Sequence, residues 1–475
     1  MCTVDKNCPT LLSHICKVYE DEIELDDKKV LSPFSCVLNL SDLRQNSNKF
    51  CILQLLTRKD EAYFLFSRVG RVGYDGVQNI DCFLDKSLAI AAFETEFHER
   101  TGIKWCNRYD TDISQSKGKY QFVLMKYDNK ETVRTAEETT SSRVPLQKSI
   151  ANLIETIYDP SLYDAAKSLG LDTKRLPLGN LGAAQIQKAY KILGELGTKD
   201  ADVVELSSQY YSTIPTACGM QKLPILDSSE KIKARMELLE LLEDMCCLKT
   251  TENSDIYVKY KKLQCDIEPV TDAHILNLIE KYMQCNRGAH QMKLNVQAVF
   301  NLDKLSERNS YRKWDTMHNK QLLWHGTRLA NIAGILTSGM RINPVGIPTT
   351  GKMFGNGLYF ANSSTKSAQY MYMSNNGIGA LFLCEVALGN MHELKQSDHV
   401  LILPDGKHST KGVGINQPNE DDHVEVDNNV IIPIGKLMPS DTSGKSLQYD
   451  EFIVYDTSQI KLRYLVLVNY QNGFH

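Results

Sequence analysis

The spacing of hydrophobic residues changes along this 475-residue chain, and the changes limit which folds it can adopt. Between residues 144 and about 248 the apolar side chains recur at helical spacing, with glycines and prolines between the runs. The clearest run is Ile232, Met236, Leu239, Leu242 and Met245. This pattern predicts an all-α helical bundle in the middle of the chain.

After residue 253 the pattern changes to short β-rich runs. Few long helices intervene after Ser338, so the strands are expected to form an antiparallel or mixed sheet. The predicted strands are 294–302, 322–325, 378–388, 430–434, 452–455 and 460–468.

Residues 31–126 predict a third, smaller α+β unit. Ser87 is positioned to cap a helix over 88–99. The predicted strands of this unit are 50–56, 62–69 and 120–126.

A polar stretch at 128–143 lacks apolar periodicity and indicates a solvated linker, which separates the small α+β unit from the helical region. The chain is therefore predicted to be a multidomain α+β protein. Its predicted parts are an N-terminal tail at 1–30, a small α/β module at 31–127, the linker at 128–143, a helical domain at 144–250 and a mixed-sheet domain at 253–475.

The charge balance restricts where a nucleic acid can bind. The chain has 54 Lys plus Arg against 58 Asp plus Glu, a net charge of −4, which argues against a nucleic-acid surface over the whole protein. Residues 31–130 carry 14 Lys plus Arg and 12 Asp plus Glu, which gives 14 − 12 = +2. If DNA is bound, we expect this module to bind it.

The 13 cysteines are an odd number spread over the chain, which favours reduced thiols over a disulfide framework. Four residues near the N-terminus are the candidates for a zinc site: Cys2, Cys8, His14 and Cys16. Their five-residue gaps match no common zinc spacing, so a mobile tail is the preferred interpretation and no metal is predicted. No secretory signal and no apolar run of about 20 residues is present, so a cytosolic or nuclear protein without a membrane span is expected.

The first candidate for chemistry is His325, which is followed by Gly326 at the end of a predicted strand. Glycine lets the main chain approach a ligand closely and leaves its N–H and C=O groups accessible. Taken alone, His325 is better explained as a structural histidine with satisfied hydrogen bonds.

A second candidate is the glycine-rich segment 351–361 with the polar stretch that follows it. It matches neither the phosphate-binding loop nor the dinucleotide fingerprint. Tyr359 and Tyr370 could sandwich a flat ring, and Ser367 could supply a hydroxyl hydrogen bond. The alternative is that both tyrosines only fill the core.

The third candidate is Glu451, which begins an apolar strand and shares a face with Ile453 and Tyr455 by strand alternation. A carboxylate on an apolar face is costly unless it has a partner. The pattern alone leaves a functional carboxylate and a residue at the rim of the strand equally possible.

In this order, the three segments resemble the catalytic domain of the poly(ADP-ribose) polymerases, whose triad is histidine, tyrosine and glutamate. The segment 403–412, Leu-Pro-Asp-Gly-Lys-His-Ser-Thr-Lys-Gly, matches as well. Upstream, 176–181, 185–193 and 210–215 resemble the helical regulatory domain of the DNA-dependent members, and 31–126 resembles their WGR module. Only the first thirty residues lie outside the resemblance. It implies an ADP-ribosyltransferase fold that consumes NAD as a substrate.

The resemblance implies a role for each matching residue at the nicotinamide end of NAD. His325 would hold the ribose on the adenosine side, and the Gly326 backbone with the Ser367 hydroxyl would fix the carboxamide. Tyr370 and Tyr359 would lie on the two faces of the nicotinamide ring.

The same resemblance assigns Glu451 to the nicotinamide ribose, with Lys366 beside it, and makes Glu451, His325 and Tyr359 the catalytic set. Ala361 belongs to the matching NAD-binding segment. The adenosine half of the pocket would be lined by Thr327, Asn331, Gly334 and Arg341.

A carboxylate near the ribose suits this chemistry, because breaking the bond to nicotinamide builds positive charge on the sugar. Glu451 would stabilise that charge and could polarise an acceptor hydroxyl during chain elongation. This favours a polymerase that modifies proteins, itself included, over a mono-ADP-ribosyltransferase of the same fold. A DNA-end-binding scaffold with vestigial catalysis is the third possibility.

The resemblance also implies stimulation by DNA strand breaks and a nuclear location, with the helical domain shielding the NAD pocket until DNA is bound. Asn48, Gly70 and Arg71 match the DNA-binding positions of the WGR module, but Val69 stands where the family has tryptophan. Losing such an aromatic platform costs about 1–3 kcal/mol, so weaker recognition of a DNA end is expected. The sequence leaves open whether an accessory protein completes the acceptor site.

Overall fold

The computed structural model describes twelve stretches of the chain. They are residues 29–57, 62–110, 118–125, 145–163, 181–196, 201–248, 255–288, 292–342, 353–371, 377–398, 400–440 and 443–470. The N-terminal tail with its zinc candidates, the linker at 128–143 and most of the segment 176–181 lie outside the described residues.

The described residues form two compact units. The first contains the described residues between 29 and 125 and between 181 and 248, and the second contains residues 145–163 and those from 255 onward. Their helices are α1 Lys86–Thr101, α2 Lys148–Ile157, α3 Ala183–Glu195, α4 Val203–Thr213, α5 Ser229–Leu248, α6 Ile256–Lys262, α7 Ala273–Cys285, α8 Leu305–Tyr311, α9 Leu329–Ser338 and α10 Ser364–Ala368. None of these is long and apolar enough to cross a membrane.

The first unit is built on an antiparallel sheet in the order β4-β3-β2-β1-β5. Helix α1 packs on one face of the sheet, where Phe93 and Phe97 each place their ring centroid 4.9 Å from that of Trp105. The strands are β1 Lys29–Asp42, β2 Ser47–Thr57, β3 Tyr63–Arg71, β4 Val77–Phe83 and β5 Gln121–Val123.

Helix α1 begins two residues earlier than the sequence predicts. The predicted cap, Ser87, lies inside the helix, and the N-cap is Asp85, whose Oδ1 accepts a hydrogen bond from Leu88 N at 2.9 Å. A carboxylate at the N-cap also interacts favourably with the positive end of the helix dipole. At the other end, Gly102 adopts φ 76°, the left-handed conformation that closes a helix at little cost for glycine.

Helices α3, α4 and α5 belong to the same unit and α4 packs against β1. Asn39 Nδ2 donates to the carbonyl of Tyr211 at 2.7 Å, and Ser41 N donates to Ser212 Oγ at 2.9 Å. Helix α5 buries Ile232, Met236, Leu239 and Leu242, so the predicted helical run is confirmed for these residues. The side chain of Met245 lies outside the described set.

The second unit contains a seven-stranded mixed sheet in the order β14-β15-β8-β10-β19-β7-β6, in which β15 and β8 run parallel and the other pairs are antiparallel. A smaller sheet has the order β11-β12-β18-β9. The unit also contains a three-stranded sheet. The strands of the whole unit are β6 Asp266–Pro269, β7 Leu294–Asp303, β8 Lys320–Thr327, β9 Leu358–Phe360, β10 Ile378–Ala387, β11 Met391–Leu394, β12 Ser409–Gly412, β13 Gly414–Pro418, β14 Val424–Val426, β15 Val430–Ile432, β16 Leu437–Pro439, β17 Leu447–Tyr449, β18 Glu451–Val454 and β19 Ile460–Tyr470. The predicted multidomain α+β fold with a mixed sheet is confirmed.

The core of the second unit fixes the end of β8. Trp324 is fully buried, and its ring lies 5.1 Å from that of Tyr282 on α7, whose hydroxyl donates to the carbonyl of Leu322 at 3.0 Å. Because Trp324 is locked in the core, the next two residues of the chain, His325 and Gly326, are held at a defined place in the candidate site described below.

Helix α8 of the same unit carries a glutamate in an unusual environment. Glu307 Oε2 accepts a hydrogen bond from Leu462 N at 2.9 Å, and nearby Lys304 donates to the carbonyls of Leu336 and Thr337 at 2.8 and 2.7 Å. Burial raises the pKa of Glu307 to about 7, although the Leu462 N–H and the charge of Lys304 oppose the shift.

Replacing Glu307 by glutamine is expected to remove a pH-dependent part of the stability. The folded state binds a proton at Glu307 more tightly than the unfolded chain, whose reference pKa is 4.5. Binding this proton therefore adds to the free energy of unfolding. The added stability is fully present below the reference pKa and is lost as the pH rises through about 7. The shift corresponds to at most about 3 kcal/mol.

Urea unfolding midpoints at about pH 5 and about pH 8 measure this effect. The wild-type protein should lose more stability between the two pH values than Glu307→Gln. Glu425→Gln, which changes an exposed carboxyl on β14, should keep the wild-type pH dependence. Equal pH dependence in the wild type and Glu307→Gln would show that this carboxyl does not titrate near neutrality.

Candidate active site

His325 lies at the end of β8 beside strand β9. Its Nδ1 lies 2.9 Å from the carbonyl oxygen of Tyr359, which makes Nδ1–H the donor of that bond and leaves Nε2 as the acceptor for a neutral ring. The two strands are joined next to it by backbone bonds between Trp324 and Ala361, at 2.8 and 3.0 Å. His325, Tyr359 and Ala361, which the sequence analysis drew from two separate segments, therefore lie together.

Gly326 packs directly on the backbone of helix α10. A Cβ atom at this position would lie 1.8 Å from the carbonyl oxygen of Ser367, so no other residue fits without moving the helix. The Ser367 hydroxyl is buried and donates to the carbonyl of Trp324 at 3.0 Å. Its remaining lone pair can still accept an N–H from a bound amide.

Glu451 begins strand β18 and pairs with Lys366 of α10. Glu451 Oε1 lies 3.0 Å from Lys366 Nζ, and the two side chains are 13% and 12% exposed. Lys366 Nζ also donates to the carbonyls of Tyr449 and Asp450 at 2.8 and 3.3 Å. The predicted carboxylate thus has a partner, as its apolar surroundings require.

The charges of this pair depend on each other. Burial lowers the pKa of Lys366, and the negative charge of Glu451 opposes that shift. The ammonium therefore depends on the carboxylate for part of its stabilisation, and the carboxylate in turn has a fixed position against the ammonium.

Tyr359 connects the pocket to the turn that precedes it. Its hydroxyl donates to the carbonyl of Gly355 at 2.8 Å and accepts from Phe354 N at 3.0 Å, and burial raises its pKa. Tyr455 also bonds to Phe354, because its hydroxyl donates to the Phe354 carbonyl at 2.6 Å. Burial raises the pKa of Tyr455 to about 12, so this hydroxyl stays a donor at neutral pH.

The residues predicted to line the adenosine half follow β8. Asn331 Nδ2 donates to Thr327 Oγ1 at 3.2 Å, and Gly334 is buried within α9. Arg341 lies three residues beyond the end of α9 with an exposed side chain. Asn331 Oδ1 is buried and makes no hydrogen bond to the described residues, so it is available to a polar ligand group.

Tyr370 lies just after α10 and has the most exposed ring of the set, at 56%. Its backbone N–H donates to the carbonyl of Ser367 at 3.1 Å. Burial of the hydroxyl raises its pKa, and the negative charge of Glu451 adds to the rise. The charge of the Glu451 carboxylate therefore acts on the Tyr370 hydroxyl, while the exposed part of the ring is accessible for stacking.

The structure brings most of the predicted site together through direct contacts. The contacting pairs are His325 with Tyr359, Gly326 with Ser367 and Lys366 with Glu451, while Ala361 bonds to Trp324, the residue before His325. Their roles toward NAD stay predictions. The sequence places Tyr455 on the same strand face as Glu451 but does not predict its bond to Phe354, and it gives no role to the acid Asp450 directly before Glu451.

The candidate DNA-binding residues of the first unit are engaged within the protein. Asn48 is 2% exposed and donates to the carbonyl of Thr216 at 2.9 Å. The Arg71 guanidinium donates to the carbonyls of Gly219 and Gln221 at 2.7 and 2.9 Å. Gly70 allows the hairpin to close, because a Cβ there would lie 2.6 Å from Gly76 Cα. Their role in DNA binding stays a prediction.

Three family models match the chain in succession. The WGR domain matches residues 34–112, the poly(ADP-ribose) polymerase regulatory domain matches residues 144–261, and the poly(ADP-ribose) polymerase catalytic domain matches residues 275–470. The catalytic match contains every residue of the candidate site.

Full-length relatives agree with these models. Poly [ADP-ribose] polymerase 1 of Danio rerio is 36% identical over 464 residues, covering 93% of this chain and 45% of that protein. Poly [ADP-ribose] polymerase 2 of Arabidopsis thaliana is 33% identical over 468 residues, covering 92% of this chain and 73% of the relative. Poly [ADP-ribose] polymerase 2-A of Oryza sativa subsp. japonica is 34% identical over 466 residues, with 92% and 70% covered.

The chain belongs to the poly(ADP-ribose) polymerase family. It spans about half the length of the vertebrate relatives that it matches, at 45%, 46% and 45%.

Proposed function

We propose that this protein is a DNA-break-stimulated poly(ADP-ribose) polymerase that transfers ADP-ribose from NAD to protein acceptors, including itself, and elongates the chain in the DNA damage response. The observation that carries the proposal is the Glu451–Lys366 pair, at 3.0 Å, at the start of strand β18, which pairs with the strand β9 whose Tyr359 contacts His325. A nuclear location and binding to damaged DNA are part of the same proposal.

The pocket residues suit NAD. The Gly326 backbone lies against Ser367, so a carboxamide could bond to both, while the half-exposed ring of Tyr370 offers a stacking surface. Asn331 Oδ1, which is buried and makes no hydrogen bond within the part of the chain that the structure describes, fits a polar group of the adenosine half. The His325 ring, which the Tyr359 carbonyl orients through Nδ1, could accept a hydrogen bond from a ribose hydroxyl at Nε2.

The chemistry follows from where the negative charge lies. In the reaction the bond between nicotinamide nitrogen and ribose C1 breaks, and its electron pair leaves with nicotinamide. Positive charge then develops on the ribose, and a fixed carboxylate at Glu451 stabilises that charge without having to reorganise. An acceptor oxygen forms the new bond to C1 and loses its proton, for which the same carboxylate is the nearest base in this proposal.

Lys366 has a positioning role in this scheme. Its ammonium is fixed by two backbone carbonyls, and it holds one oxygen of Glu451 through the ion pair. The second oxygen is then free to face the sugar. Because the pair is mostly shielded from water, its electrostatic effect is larger than that of a surface pair.

Incubation with labelled NAD, with and without nicked duplex DNA, tests the function. The proposal expects long polymer on the protein in the presence of DNA and much less in its absence. Single ADP-ribose adducts in both samples would instead identify a mono-ADP-ribosyltransferase. DNA binding without nicotinamide release would identify a scaffold and overturn the proposal.

A further inference from the structure

The residue before Glu451 is a second buried carboxylate, to which the proposed reaction assigns no role. Asp450 is 2% exposed. Its Oδ1 accepts hydrogen bonds from Gly414 N at 2.7 Å and from Gln417 Nε2 at 3.1 Å. Its Oδ2 accepts from Asn362 Nδ2 at 3.3 Å and lies 3.4 Å from Lys411 Nζ. A carboxylate can only accept, so both oxygens are used by donors from three separate segments.

Asp450 and Glu451 point to opposite faces of the strand segment. In the pairing of β18 with β12, Lys411 stands opposite Phe452 and Gly412 stands opposite Glu451. Lys411 lies on the Asp450 side, where its Nζ is also 5.8 Å from the centre of the Phe452 ring. Each of the two adjacent acids therefore has a lysine of its own, one on each face.

The backbone between the two carboxylates is held from both sides. Lys366 Nζ donates to the carbonyls of Tyr449 and Asp450 at 2.8 and 3.3 Å. On the other side, Gly414 passes so close that a Cβ there would lie 2.3 Å from the carbonyl carbon of Tyr449. The Asp450 side chain also bonds to this strand, β13, which runs parallel to β17, through the Gly414 N–H.

We propose that Asp450 is the positioning residue for Glu451: its carboxylate fixes the 449–451 backbone so that the Glu451 carboxylate stays against Lys366 and faces the reacting ribose. Asp450 itself does not touch the substrate. The inference rests on the proposed function, because it concerns how the carboxylate of that same site is oriented. Removing Asp450 would leave buried donors without an acceptor and let the peptide rotate.

The test is a comparison of Asp450→Ala and Asp450→Asn, each made in the wild type and in Glu451→Gln. Nicotinamide release from NAD gives kcat and KM. In the wild-type background, Asp450→Ala should lower kcat about 10- to 100-fold with little change in KM, because the effect acts on the transition state through Glu451. Asp450→Asn keeps one acceptor for Gly414 and should restore kcat to within about threefold of the wild type.

The double variants separate positioning from a general loss of structure. If Asp450 acts through Glu451, Asp450→Ala should change the residual kcat of Glu451→Gln by less than about twofold. An equal loss in both backgrounds, or no loss in the wild-type background, would overturn the inference.

A milder variant keeps the test valid if Asp450→Ala does not fold. Lys411→Met removes one ion pair and leaves the three hydrogen bonds of Asp450, and it should show a smaller kcat loss that is again absent in Glu451→Gln. A Lys411→Met loss of the same size in both backgrounds would count against the inference. Failure of the wild type to release nicotinamide would instead overturn the proposed function.

Discussion

Glu451→Gln is expected to lower kcat for nicotinamide release by about 10²- to 10³-fold, the range found when one preorganised electrostatic group is removed from an active site. Glutamine keeps the size of the side chain and an oxygen near Lys366, but it cannot stabilise positive charge on the ribose. KM for NAD should change little, because the carboxylate interacts most strongly with charge that exists only in the transition state. The ADP-ribose chains seen on gels should be short, because the amide cannot accept a proton from the next acceptor hydroxyl.

The fold should tolerate this change. Lys366 keeps its bonds to the carbonyls of Tyr449 and Asp450, so its ammonium is not left without acceptors. The loss of the negative charge should lower the pKa of Lys366 further, since Glu451 now raises it. Thermal unfolding separates this effect from catalysis, because a variant with a wild-type melting temperature and a large kcat loss is catalytically impaired rather than unfolded.

Glu425→Gln serves as the matched control, because it makes the same chemical change at an exposed position on β14. Its kcat and product length should equal those of the wild type. If Glu451→Gln made polymer of wild-type length, this carboxylate would not serve the reaction, and the whole assignment of the pocket would be wrong.

The six strands that the sequence predicts in the second unit are all present, because their hydrophobic runs are mostly buried, whereas the sequence misses the strands β6, β9, β11 to β14, β16 and β17. The strand that carries His325 was predicted over 322–325 and extends over Lys320–Thr327. The predicted 430–434 run is shorter in the structure, at Val430–Ile432. Strand β1 was not predicted at all, because Pro33 and a bulge between Val30 and Ser35 interrupt its alternation.

The candidate site could be predicted as a set of residue types but not as a geometry. Local patterns and the family resemblance identify His325 and Glu451, whereas the contact of His325 with Tyr359 and the pairing of β9 with β18 join segments that are distant in the sequence. Asp450 shows the limit most clearly. Its donors come from residues 362, 411, 414 and 417, and no local pattern places these beside one acid.

The boundary of the helical domain shows a similar limit. Helix α2 has the helical periodicity expected for the 144–250 region, but it groups with the second unit, where it buries Ile150, Leu153 and Ile154. Periodicity reports that a helix has an apolar face, and it does not report which unit covers that face. A deletion designed to test shielding of the pocket should therefore keep residues 145–163.

Arg71→Met is expected to destabilise the first unit by about 2 kcal/mol, from the loss of charge-assisted hydrogen bonds to backbone carbonyls. The guanidinium donates to Gly219 and Gln221 at 2.7 and 2.9 Å and to Asn46 at 3.2 Å, so it joins the turn before β2 to the segment after α4. Arg71→Lys should recover less than half of the loss, because one ammonium cannot span acceptors that the planar fork reaches together. Urea unfolding of the three proteins measures the difference.

The same variants decide how Arg71 serves DNA binding. A residue that neutralises a DNA phosphate contributes about 0.9 to the slope of log affinity against log salt. The donors of Arg71 are engaged by carbonyls, so Arg71→Met should leave this slope unchanged. Lys49 is an exposed lysine of β2. If DNA covers this face, Lys49→Met should reduce the slope by about 0.9. A reduced slope for Arg71→Met would mean that the guanidinium leaves the carbonyls for a phosphate. In that case DNA binding would compete with the contact between the sheet and the segment after α4, and the two events would be coupled through one side chain.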